Sequence, residues 1–353
     1  MSSDAAVVPF PACPVPLVDS DEVLLGHGSG GRLTAQLVEQ LIVPAFANPA
    51  LAALDDAAVV EIGGARLAFT TDSYVITPIF FRGGDIGELA VNGTINDLAV
   101  SGARPLALSV AFILEEGLPL ADLRRVIESA RRAAARAGVP VVTGDTKVVG
   151  RGSADKLFVN TSGIGALPAG RRLGAAEVRA GDAIVVSGTV GDHGVAILAE
   201  RHGLALDGEL ASDTAPLHEL ATVALAAAPR LHAMRDPTRG GLGATLVEIA
   251  TRQRLGIAID ERAVPVAEGV RGACEILGLD PLLVANEGKL VAFVPADEAD
   301  ALVAALRAHP LGRRAARIGA VTAANPGLVT VDTAIGGERL LELPFAEMLP
   351  RIC

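Results

Sequence analysis

Tryptophan is missing from the sequence, tyrosine occurs once and aromatic residues make up only 3% of it, so alanine, valine and leucine must fill the cores. Cysteine is almost as scarce. Cys13, Cys274 and Cys353 show no paired spacing, which argues against a disulfide framework and fits a reducing cytosol. The chain does not open on a basic region followed by an apolar run; its first residues carry early acids and prolines, so no signal peptide is expected. Nowhere do about 18 apolar residues follow one another without interruption, so no membrane span is expected. Positive charge is also in short supply. The net charge is −11 and no basic stripe stands out, which argues against nucleic acid and anionic membrane surfaces as partners. These absences predict a soluble, cytoplasmic protein. A nucleotide stays compatible with them, because glycine loops and a divalent cation can neutralise phosphates without a basic protein.

What the sequence does have is small apolar residues and glycine. Half of it is hydrophobic and 39 residues are glycine, too many for a plain helical bundle. Its 353 residues suggest two domains at about 100–200 residues each, of mixed α/β class. Residues 1–23 read as an irregular lead-in. From 24 to 168 the pattern is one α/β unit, beginning with a helix over 32–43 on the spacing Leu33, Leu37, Leu41. Strands follow over 57–62 and 66–75, then a helix over 85–101 and a strand over 105–114. An amphipathic helix over 120–137 is closed by Gly138, and strands over 139–149 and 156–167 complete the unit. The Gly-, Pro- and Arg-bearing stretch 167–182 reads as the connection. A second α/β unit, 169–345, opens with a strand over 183–187. It carries helices near 195–201, 215–228 and 242–253, and strands near 256–260 and 289–295. Residues 346–353 form a flexible tail.

Several acids stand in apolar or glycine-rich sequence, where an ordinary solvated carboxylate is not expected. They are Asp55 and Asp56 ahead of a strand, Asp72 in Thr-Thr-Asp-Ser, Asp97 in Asn-Asp-Leu-Ala, Asp145 in Thr-Gly-Asp-Thr-Lys and Asp236 in Asp-Pro-Thr-Arg-Gly-Gly. Each alone is a candidate turn or helix cap. As a converging group they would repel, each pair near 4 Å by about 4 kcal/mol at an effective dielectric of 20, and a hard cation with phosphate removes that repulsion. The loop Gly26-His27-Gly28-Ser29-Gly30-Gly31 before a helix can cradle a phosphate, although it matches neither a Walker A loop nor a dinucleotide fingerprint. Lys147 and Arg239 can reach phosphates, or serve in surface ion pairs. Glu287, in Asn-Glu-Gly-Lys, is a candidate proton acceptor or a cap. His27 and His193 lie in glycine loops without a zinc spacing. Cys353 is the last residue of the sequence and is neither a prenylation signal nor half of a zinc knuckle. The eight residues after Phe345 can span roughly 26–29 Å when extended, enough to carry a thiol into a cleft.

Taken together, Leu54-Asp55-Asp56-Ala57-Ala58, Thr70-Thr71-Asp72-Ser73, Asn96-Asp97-Leu98-Ala99, Gly144-Asp145-Thr146-Lys147 and Asp236-Pro237-Thr238-Arg239-Gly240-Gly241 resemble a known superfamily. Its members include aminoimidazole ribonucleotide synthetase, selenophosphate synthetase and thiamine-phosphate kinase. The loop at 26–31 and the ending Pro350-Arg351-Ile352-Cys353 resemble one branch in particular, the HypE family of carbamoyl dehydratases in hydrogenase maturation. The resemblance runs from about residue 24 to the end. It implies a two-domain aminoimidazole ribonucleotide synthetase-like fold, a homodimer, and use of ATP with Mg2+. It also implies that a HypF-type carbamoyltransferase loads Cys353, that ATP activates the carbamoyl oxygen, and that thiocyanate results. Its cyanide then passes to an iron-carrying HypC–HypD-type scaffold complex. On that resemblance the nucleotide contacts are Gly28, Gly30, Gly31, Asp55, Asp56, Asp72, Asn96, Asp97, Thr143, Gly144, Asp145, Lys147, Arg239 and Gly240. The metal is held by some of Asp55, Asp56, Asp72, Asp97, Asp145 and Asp236. Cys353 carries the reacting group, Lys147 clamps phosphate, and Glu287 or, second, His27 is the base.

Overall fold

The computed structural model describes residues 22–203, 210–344 and 351–353. Most of the lead-in, Cys13 and residues 346–350 of the tail therefore lie outside the described residues. The first half folds around a six-stranded sheet. Ala58–Ile62, Ala65–Tyr74, Leu157–Ala166 and Arg104–Glu115 pair in that order, all antiparallel. Val141–Thr143 and Thr146–Val149 both run parallel to Arg104–Glu115 at the edge. Side chains alternate across the strands. Along Leu157–Ala166 the odd positions are buried, while Phe69 and Ile164, cross-strand partners, look outward and stay exposed.

One face of this sheet is covered by the helices Ile86–Val100 and Leu120–Ala137. Ile86–Val100 is buried at every position except Glu88 and Asp97, which is why its sequence reads apolar all round. Its start is fixed by Asp85, whose carboxylate accepts from the backbone N–H groups of Gly87 and Glu88. Leu120–Ala137 ends at Gly138, in the left-handed region at φ +67°.

The second half is built on a seven-stranded sheet. Its order is Ala233–Arg235, Val291–Pro295, Asp182–Val186, Ala316–Thr322, Gly256–Asp260, Val329–Asp332 and Glu338–Leu341. All neighbours are antiparallel except Gly256–Asp260 with Val329–Asp332. Both faces are covered, and period-two alternation divides the core between them. Ile184 and Val186 pack under the helix Gly241–Gln253, while Ala183 and Val185 pack under His218–Ala227 and Ala299–Ala308. The two halves share one core as well: Ile197 and Ala285 join the apolar cluster of the first sheet, and so does Ile352 of the tail. No helix among the described residues is long and apolar enough to cross a membrane.

The structure differs from the sequence reading at four places. The strand expected over 139–149 is broken at Gly144, which passes so close to strand Arg104–Glu115 that a Cβ there would lie 2.1 Å from the Val110 carbonyl oxygen. The helix expected over 32–43 is Arg32–Leu37 running through a π turn, Val38–Ile42, into Val43–Ala45, and of its periodic leucines Leu33 is buried but Leu41 is exposed. Helix Glu268–Leu277 and everything after residue 295 lay beyond the expected elements. The tail, expected to be flexible, ends in residues 351–353 docked on the first half, where Ile352 bridges to Ile76.

Candidate active site

Three carboxylates from different elements meet between the two halves. Asp56 precedes the strand Ala58–Ile62, Asp97 is the one acid of the last turns of the buried helix, and Asp236 follows the strand Ala233–Arg235. Their oxygens lie within 4.8 Å of one another. Asp72 stands beside them on Ala65–Tyr74, accepting from Tyr74 Oη at 3.2 Å and Thr94 Oγ1 at 3.3 Å. Thr70 Oγ1 donates to Asp97 at 2.6 Å. Arg235 is ion-paired with Asp56 at 2.6 Å.

Burial raises the pKa of all four acids, and the negative charge of neighbouring acids adds to it at Asp56, Asp97 and Asp236. Asp56 rises to about 6, held down in part by Arg235. Asp97 and Asp236 are pushed well above the usual carboxylate range, first by burial and then by neighbouring acids: Asp72, Asp236 and Asp56 act on Asp97, and Asp56 and Asp72 act on Asp236. Asp72 is raised by burial, against Tyr74 and Arg239. Asp236 Oδ2 is buried without a hydrogen-bond partner among the described residues. A crowd of like charges with an orphaned oxygen fits a hard divalent cation, which removes the repulsion and fills the empty lone pairs.

Next to these acids is a narrow cavity of about 40 Å³ bordered by Asp72, Tyr74, Asp236, Arg239, Glu287 and Cys353. Gly93 on the buried helix makes room for it, since a Cβ there would lie 1.9 Å from Tyr74 Oη. Cys353 is held in place by its backbone: its carbonyl accepts from Val75 N at 3.1 Å. Burial pushes its thiol up to about 12, against the pull of Arg239. Glu287 is buried, with Oε1 unpartnered among the described residues, and burial raises its carboxyl well above the usual range, Asp213 adding to the effect. Its backbone is fixed from both sides. Asp213 accepts from Glu287 N at 3.0 Å and is itself ion-paired to Lys289 at 2.7 Å, while Asn96 Nδ2 donates to Glu287 O at 3.2 Å.

The glycine loop meets the same cleft through Arg239, whose Nη1 donates to Gly28 O at 3.1 Å. Gly30 packs on the Arg239 backbone and Gly31 on the Pro344 carbonyl, and Gly240, at φ +76°, turns the chain into helix Gly241–Gln253. The remaining candidates make the following contacts. Asn96 is fully engaged in holding the halves together, accepting from Leu217 N at 2.8 Å and donating to Ala215 O at 3.1 Å. Asp55 accepts from Ala175 N at 3.1 Å and secures the connection. His27 bonds the Leu24 backbone and borders no part of the cavity. Thr143, Gly144, Asp145 and Lys147 lie on the exposed sheet edge, where Asp145 and Lys147 pair with each other at 2.8 Å. Sequence reasoning missed Tyr74, Thr94, Arg235 and Asp213. Tyr74 alone left a trace, as the single tyrosine of an aromatic-poor chain.

Comparison with known proteins agrees with this geometry. Residues 54–167 match the N-terminal domain of AIR synthase related proteins, and residues 179–332 match their C-terminal domain. A carbamoyl dehydratase HypE of Cupriavidus necator is 53% identical over 337 residues, covering 95% of this chain and 96% of that protein. A hydrogenase maturation protein HypE solved in complex with ATP is 49% identical with a TM-score of 0.79, covering 94% of this chain and all of that one. A chain of a HypE–HypF complex is 43% identical with a TM-score of 0.83, covering 87% of this chain and 99% of that one. With two AIR synthase related domains in order and HypE relatives matched nearly end to end, the chain belongs to the HypE family of carbamoyl dehydratases.

Proposed function

We propose that this chain uses ATP to dehydrate a carbamoyl group carried on the sulfur of Cys353, leaving a thiocyanate whose cyanide goes to the iron of a [NiFe]-hydrogenase. The observation that carries this reading is the seat of Cys353 inside the acid- and arginine-lined cavity, with about 40 Å³ of free space beside it. At roughly 10–15 Å³ for a water-sized group, that space takes about three heavy atoms, the number a carbamoyl group adds to a sulfur. The relative solved with ATP supports the nucleotide, and the relative solved with HypF supports a HypF-type carbamoyltransferase as partner. The HypC–HypD-type iron scaffold rests on the family resemblance.

The chemistry needs a better leaving group than hydroxide. Phosphoryl transfer to the carbamoyl oxygen supplies one: an O–P bond forms, ADP leaves, and Glu287 takes one proton from the nitrogen. The C–O bond then breaks as the C≡N bond closes, and phosphate departs with the second proton. The balance is one carbamoyl group and one ATP in, one thiocyanate, ADP, phosphate and one proton out. Burial makes the Glu287 carboxylate a stronger base, suited to an amide-type N–H. Arg239 brings a fork of donors to the same point. Asp56, Asp97 and Asp236, with Asp72 at their side, would hold Mg2+, which would supply positive charge for phosphoryl transfer. The seated tail keeps water from the activated carbamoyl group.

A homodimer completes the account. The outer face and edge of the first sheet expose Phe69, Ile113, Val142, Val148 and Ile164, a patch suited to a second copy. Asp145 and Lys147 lie on that edge, where a second copy would enclose them as nucleotide contacts. Replacing Cys353 by Ala tests the reaction: carbamoyl-dependent ATP turnover should vanish. Undiminished turnover in that variant would point to a diffusible substrate and overturn the reading.

A further inference from the structure

A tail that visits a separate carbamoyltransferase needs a reversible seat. Each of the three described tail carbonyls accepts a hydrogen bond from outside the tail. Arg351 O accepts from Thr77 N at 3.2 Å and from Arg201 Nη2 at 2.8 Å. Ile352 O accepts from His193 Nε2 at 2.5 Å, and Cys353 O from Val75 N. Both side-chain donors belong to one helix, Asp192–His202. His193 is completely buried. Its ring meets Phe81 edge-on, with centroids 5.7 Å apart, and its Nδ1 faces Ser212 Oγ at 2.7 Å. With Nε2 donating to a carbonyl, Nδ1 accepts the Ser212 hydroxyl, which is the neutral imidazole; burial lowers its pKa in the same sense. Arg201 also donates Nε to Thr77 O at 3.0 Å, so its guanidinium bridges the tail and the segment under it. The apolar anchor is Ile352, buried in the shared core. None of these contacts involves the sulfur.

We propose that His193, seconded by Arg201, is a positioning residue: a clamp on the tail main chain that seats Cys353 in the cleft for dehydration and lets it go for carbamoylation. The role in dehydration rests on the function proposed above. A clamp on carbonyls is blind to what the sulfur carries, so thiol, carbamoyl and thiocyanate forms are held in the same register.

The test uses the full chain and the variants His193→Ala, His193→Gln and Arg201→Ala. Alkylation of Cys353 by iodoacetamide, followed on the tail peptide with buried Cys274 as internal reference, should run about tenfold faster in His193→Ala, the change expected for one lost buried hydrogen bond. His193→Gln should restore much of the protection, because its side-chain N–H can donate to the same carbonyl. Single-turnover dehydration of carbamoylated protein should fall about tenfold in His193→Ala with the KM for ATP unchanged and carbamoyl transfer not slowed. Unchanged alkylation in both His193→Ala and Arg201→Ala would overturn the clamp, whatever the catalytic result. Faster alkylation with full dehydration would overturn the positioning role. A wild-type chain that never carries a carbamoyl group would instead sink the proposed reaction, and alkylation would still judge the clamp. Should His193→Ala fail to fold, Arg201→Ala, at a partly exposed position, bears the test alone.

Discussion

Cys353 sits where its own acidity is suppressed. With its thiol pushed up to about 12 by burial, the seated sulfur is protonated and a poor nucleophile at neutral pH. In the proposed reaction, loading of the carbamoyl group would therefore belong to the released tail, and dehydration to the seated one. Glu287 is the base we propose for the second step. Glu287→Gln keeps the shape and removes the base, so dehydration should fall by about 10²–10⁴ while carbamoyl-Cys353 accumulates, as mass spectrometry of the tail peptide would read. His193 gives a pH dependence. Burial lowers its pKa, with the Ile352 carbonyl and Asp213 pulling the other way. The unfolded chain, with an ordinary histidine near 6.5, binds this proton more readily. The contribution is fully present above about 6.5 and is lost as pH falls through the lower folded value. Denaturation midpoints should therefore decline below that pH, and His193→Gln should flatten the slope. At this scale Asp56, Asp97 and Asp236 were legible, because an acid in apolar sequence needs a reason. The spent amide of Asn96 and the role of Asp55 were not, because their partners are backbone groups about 120 residues away.

Among the elements, Ile86–Val100 fixes the most. It presents Asp97 to the cleft, makes room for Tyr74 at Gly93 and holds Glu287 through Asn96. Its cap is the point of attack. Asp85→Ala should destabilise the protein by about 1–2 kcal/mol, seen as a lower denaturant midpoint at unchanged slope. This helix, its neighbour Leu120–Ala137 and the longer strands could be read from caps and periodicity. The strands Val329–Asp332 and Glu338–Leu341 could not, since four residues are too few to establish an alternation. The break at Gly144 was equally hidden, because a glycine within a strand marks either a bulge or a close approach, and the approaching Val110 belongs to another strand.

For the whole molecule, the proposed homodimer would join the exposed apolar face of the first sheet to that of a second copy. Phe69→Glu, a charge on the outward face, should shift sedimentation to a monomer and lower ATP turnover, with iodoacetamide protection of Cys353 retained because the tail docks on its own chain. The two-domain α/β plan was legible from composition and motif order; the docking of the tail depends on contacts between residues 75–77, 193–201 and 351–353 that no local pattern announces. The most direct measurement of the central claim is the mass of the tail peptide after incubation with the carbamoyltransferase, carbamoyl phosphate, ATP and Mg2+. The account predicts a carbamoyl adduct on Cys353 that loses the mass of one water only when the ATP is hydrolysable. A Cys353 left unmodified by an active carbamoyltransferase, or an adduct that stays intact with ATP, would contradict it.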